Sequence, residues 1–175
     1  ETGFNAAVTE LENNRNTVEE LSLLESVKVP EDADLVVIAG AKYDFKEEET
    51  RVLEDYLKRG GALLVMANAM APVATLNKML GKFGIALRSD LLILAPNDVR
   101  AQMIGQNNAL VTMFDEFSPV TKDFASQSQV ALRLSFTRSI EEVLDNANKM
   151  KVSLVAKTAM EIIRVKHAES PKDLE

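Results

Sequence analysis

Cysteine and tryptophan are absent from the 175 residues, and histidine occurs once. Without a thiol the chain forms no disulfide, no thiolate nucleophile and no zinc–thiolate site. The lone His167 excludes a histidine-rich metal centre. Its place near the end, beside Lys166 and close to Glu169, suits a solvated side chain better than the firmly held base of a catalytic triad. Only 7 Gly and 5 Pro are present, too few for a collagenous or low-complexity chain. Aromatic residues make up 5%, and 20 Lys plus Arg stand against 27 Asp plus Glu, a net charge of −7. A nucleic-acid groove needs the opposite, clustered cations with stacking rings, so nucleic acid is not an expected partner. The longest apolar stretches, such as Ala62 to Ala67, fall far short of the roughly 20 residues that span a bilayer.

What is present is 46% hydrophobic residues, enough for a sizeable core. Phe4, Ala7, Val8 and Leu11 are spaced for a helix that ends near Asn13-Asn14, and Thr17 to Leu24 suggests a strand. Leu35 to Gly40 is a short, β-branched apolar run of the kind buried on both faces of a parallel sheet. Asp44 with Glu47 resembles a capping box, Val52, Leu53, Tyr56 and Leu57 form a helical stripe, and Gly60-Gly61 stops it. Ala62 to Ala67 is a second buried run, so this region reads as a βαβ unit with parallel strands. Pro72 is expected at the first position of another helix running to Phe83, before short strands at Ile85 to Leu87 and Leu91 to Leu94. From Val99 to Asp115 periodicity is poor, which suggests a surface excursion. Gln129 to Phe136 alternates as a half-buried strand towards an edge. Ser139 to Ala147 suggests a helical turn or two, Val152 to Lys157 a strand, and Met160 to Val165 either helix or strand. One domain over residues 1–170, with a polar tail at 171–175, is the simplest organisation. The opening Glu1-Thr2-Gly3 reads as an internal start within a longer protein.

No residue set converges on catalysis. Glu47, Glu48 and Glu49 are consecutive on a helix and point about 100° apart, which suits the helix dipole rather than a cation. Gly60-Gly61 follows a helix and precedes a strand, the reverse of a phosphate loop, and no G-x-G-x-x-G or Walker motif occurs. Open α/β sheets bind ligands outside the C-terminal ends of their strands. Gly40, Lys42, Asp44 and Asn68 lie at those ends and are the ligand-binding candidates. No catalytic residue, metal or cofactor is expected.

The run Val29-Pro30-Glu31-Asp32-Ala33-Asp34 with its following strand, and Tyr56-Leu57-Lys58-Arg59-Gly60-Gly61-Ala62-Leu63-Leu64-Val65, resemble gliding-motility-type ABC transporter auxiliary proteins (GldG-like), specifically their extracytoplasmic domain. Leu76-Asn77-Lys78-Met79-Leu80 with Gly84-Ile85, Ser118-Pro119-Val120-Thr121 and Arg138-Ser139-Ile140 continue the similarity, which spans most of Val29 to Lys157. The resemblance implies a Rossmann-like three-layer α/β sandwich with a mostly parallel central sheet, of the ThuA-like or class I glutamine amidotransferase-like group, more irregular towards the C-terminus. It also implies a non-catalytic periplasmic or otherwise extracytoplasmic domain, anchored to the inner membrane by segments outside this sequence. Its partners would be transporter permease and ATPase subunits. Amidotransferases of that fold use a nucleophilic cysteine, which this chain lacks, so a binding scaffold is the expected role. The competing expectation is a ThuA-like sugar-binding domain or enzyme using the strand-end crevice. A third is a homo-oligomer formed through the strand at Gln129 to Phe136.

Overall fold

The computed structural model describes residues 4–25, 28–127, 131–158 and 162–166. Its best-defined unit is β1 (Leu35–Ala39), α2 (Glu47–Lys58) and β2 (Ala62–Met66), preceded by a separate helix α1 (Asn5–Asn13). The strands pair in parallel, Leu35 opposite Ala62 through Ala39 opposite Met66, and Gly40 extends the ladder by donating its N–H to the Met66 carbonyl at 2.9 Å. The β-branched, apolar runs therefore form the ribbons that their composition implies.

Tyr56 explains how the connection closes. Its hydroxyl donates to the Ala33 carbonyl at 3.0 Å and accepts from the Ala62 N–H at 3.3 Å, tying the approach to β1 to the start of β2. Its ring lies over Gly61 so closely that an added Cβ would sit 2.2 Å from a ring carbon. Gly60 takes φ +96°, the left-handed conformation that ends the helix. The Tyr56 to Gly61 motif is thus one packing device.

The helix α3 (Ala74–Gly81) packs beside α2 on the same side of the pair, and Ile38, Leu53, Leu76, Met79, Leu80 and Leu87 form the core between them. Pro72 lies two residues ahead of this helix rather than at its first position. Asn77 then bonds both the N–H and the C=O of Leu87, at 2.8 and 2.9 Å, mating α3 to β3 (Ile85–Leu87) as a neighbouring strand would.

The rest of the sheet structure is antiparallel. β3 pairs with β7 (Ile140–Glu142), and β4 (Asp90–Leu94) pairs with β9 (Ile162–Lys166). β5 (Asn108–Phe114) runs between β6 (Leu132–Ser135) and β8 (Ala156–Thr158). The fold is mixed α/β. Among the described residues, the mostly parallel central sheet expected from the sequence is present only as the β1–β2 pair, because every later strand pairs antiparallel, each with a partner well separated along the chain. Val99 to Asp115 is not a surface excursion. It forms α4 (Val99–Ile104), whose N-terminus the Asp98 carboxylate caps, and the central strand β5. Ser139 to Ala147 contributes β7 rather than a helical turn, and of the strand expected at Val152 to Lys157 only Ala156 and Lys157 are in β8, which runs on to Thr158. The ambiguous Met160 to Val165 includes the start of β9. β6 lies at an edge as expected, while Gln129 and Val130 of that alternating run, His167 and the tail at 171–175 lie outside the described residues.

Two further expectations fail. Val36, Ile38, Leu63 and Val65 turn towards the helices, whereas Leu35, Val37, Leu64 and Met66 are each 42–51% exposed. The helix α1 has no buried residue, so among the described residues this region has two layers, not three. Thr17 to Leu24 forms no strand. Its Leu21 and Leu23 are half-buried, with Leu23 packed against the core, but no ladder forms along it.

Candidate functional site

The C-terminal ends of β1 and β2 flank an apolar crevice lined by Ile38, Phe45, Val65, Ala67, Val73 and Leu76, among others. It encloses about 10 Å³, no more than roughly one water requires, and its lining is almost wholly carbon. Tyr43, 83% exposed, lies at its rim. A larger, open depression of about 490 Å³ lies between Lys28, Val52, Asp55, Lys58 and Arg59. Lys28 and Lys58 are already paired there with Glu31 and Glu54.

The four candidate residues do not converge. Gly40 has φ +62°, so it turns the chain out of β1 at a position L side chains rarely adopt. Lys42 follows it, exposed. Asp44 does not cap the helix that follows it. The carboxylate of Glu49 accepts instead from the Lys46 N–H there, at 2.6 Å. Asp44 reaches across the crevice to α3 and accepts from the N–H groups of Thr75 and Leu76, at 2.6 and 3.2 Å, and from Phe45 at 2.9 Å. Partial burial disfavours its charge, but these three donors outweigh that and hold the carboxyl below its ordinary range. Asn68 is exposed; its side-chain oxygen accepts from the Met70 N–H at 2.9 Å, shaping the loop after β2.

Two residues not among the candidates organise this end of the molecule. Arg138, only 5% exposed, extends its guanidinium beneath the loop after β2. It donates to the carbonyls of Asn68 (3.1 and 2.6 Å), Ala69 (2.7 Å) and Ala71 (2.6 Å). Burial works against its charge, and the field of Asp90 works for it. Asp90, itself 4% exposed, accepts from the Ser139 N–H and hydroxyl at 2.8 and 2.5 Å. The backbone completes the link: Asn68 bridges Thr137, and the Thr137 carbonyl accepts from the Leu92 N–H. The signals were a charged Asp90 at the edge of an apolar run and the Arg138-Ser139 motif. Nothing local in the sequence shows that they meet near Asn68.

Residues 1–158 match the family described as ABC-type uncharacterized transport system. The chain belongs to this family. It is therefore related to a transport auxiliary component, and the family is not a known enzyme family. No curated protein shows a significant match. Among solved structures, this transport-family chain is similar to the mmIFT52 N-terminal domain, with a TM-score of 0.58 and 20% identity. That match covers 81% of this chain and 65% of the other, so the chain spans about two thirds of that neighbour's length. At this identity the likeness concerns the fold alone.

Proposed function

We propose that residues 1–170 form a non-catalytic binding domain of an ABC-type transport system, of the gliding-motility (GldG-like) kind. In this reading the domain lies outside the cytoplasmic membrane and belongs to a longer membrane-anchored protein that associates with the permease and ATPase subunits of its transporter. The family match over residues 1–158 is the observation that carries it. The β1–α2–β2 unit supports a Rossmann-like origin for the fold. The site chemistry supports binding through surfaces rather than reaction in a pocket. Asp44 and Arg138 are engaged with backbone groups, and the strand-end crevice is apolar and nearly filled. Affinity purification of the tagged full-length protein from its own membranes tests the reading. Permease and ATPase subunits are expected to co-purify in fixed proportion, and their absence would contradict it.

A further inference from the structure

The loop between β5 and α5 (Lys122–Ala125) presents apolar side chains on a braced frame. Phe117 is 86% exposed, Val120 74% and Phe124 47%, all three within eight residues of one turn and its short helix. Beneath them Phe124 packs against Phe114 with ring centroids 5.7 Å apart. The frame itself is polar and buried. Thr121, 6% exposed, donates its hydroxyl to the carbonyls of Asp115 (2.8 Å) and Val155 (3.2 Å). Ser118, 8% exposed, accepts from the Val120 N–H at 3.3 Å, and the Asp115 carboxylate accepts from the Phe117 N–H at 2.9 Å. The Asp115 N–H also bonds the Val155 carbonyl, and the Lys122 N–H the Ser118 carbonyl. A loop fixed at both ends, with an aromatic and a branched side chain held in water between them, is pre-organised for contact at low entropic cost.

We propose that the exposed Phe117, Val120 and Phe124 form a docking knob for an apolar socket with a basic rim on the permease subunit of the transporter. The inference rests on the transport reading above. Charge selects the occupant: residues 115–124 hold Asp115, Glu116 and Asp123 against Lys122 alone, and the chain carries −7 overall. An anionic bilayer would repel such a tip, whereas a socket ringed by Lys or Arg would steer it in.

The test compares full-length wild type with Phe117→Ser, Val120→Ser and Glu116→Lys in co-purification of the permease and ATPase subunits. Leu144→Ser, at another site that is 86% exposed, serves as the control, and each variant's thermal melt is recorded. Recovery should fall about tenfold or more for Phe117→Ser and less for Val120→Ser and Glu116→Lys, with unchanged melts. Leu144→Ser should match wild type. If wild type and all variants recover the subunits equally, the docking knob is wrong while the transport role stands. If wild type recovers neither subunit, both fall. Flotation with phosphatidylcholine vesicles, alone or with phosphatidylglycerol, supplies the other arm. Binding that Phe117→Ser abolishes would make the occupant a bilayer and overturn the proposal.

Discussion

Tyr56, Gly61 and Arg138 illustrate how single side chains close this fold. Gly61 is required by the nearness of the Tyr56 ring rather than by backbone conformation, since it lacks the positive φ of its neighbour Gly60. Gly61→Ala should therefore cost about 1–3 kcal/mol in chemical denaturation, as overpacking does, with little change at Gly81→Ala, where an added Cβ meets nothing within 4 Å. A loss at Gly81→Ala as large as at Gly61→Ala would reverse that assignment. Arg138 serves three carbonyls at once. A lysine carries the charge but not the planar fork, so Arg138→Lys should destabilise by about 2 kcal/mol or more, because buried acceptors lose their donors. Wild-type stability in that variant would mean that the loop holds itself.

Asp44 acts at the scale of elements, since it joins the exit of β1 to the N-terminus of α3. Asp44→Ala should cost about 1 kcal/mol at neutral pH. The folded carboxyl titrates below the ordinary value of 3.8, so its contribution is complete above that pH and is lost as pH falls through the folded pKa. Urea titrations from pH 7 to pH 2.5 should show the wild-type advantage shrinking on the acid side. A constant difference would exclude the charged cap. The same residue shows what the sequence leaves hidden. Its spacing from Glu47 suggests a cap on the adjacent helix, but the partner is about thirty residues away and visible only in three dimensions. β1, α2, β2 and α3 were legible because stripe, stop signal and apolar run agree within each segment. α4 and β5 were not, since a six-residue helix is too short to display a period and β5 is mostly apolar on both faces. Thr17 to Leu24 carries apolar residues at Val18, Leu21 and Leu23-Leu24 yet forms no strand. A strand needs a neighbour to bond, and an apolar pattern alone does not supply one. Of the site, the four residues at the strand ends were legible by position, whereas the clamp of Arg138 depends on pairing across some seventy residues.

At the scale of the whole molecule, the chain belongs to a transport family, and its strand-end crevice leaves no room for a sugar in the described conformation. A thermal-shift series with mono- and disaccharides should show no displacement. A sugar bound at 100 times its dissociation constant would add about 2.7 kcal/mol, and such a shift would return the crevice to candidacy as a ligand site. The most direct measurement is cross-linking mass spectrometry on the full-length protein in its own membranes. The account predicts cross-links from this domain to the permease subunit, concentrated around residues 115–124. Cross-links confined to the protein itself, or reaching only chains unrelated to transport, would contradict it.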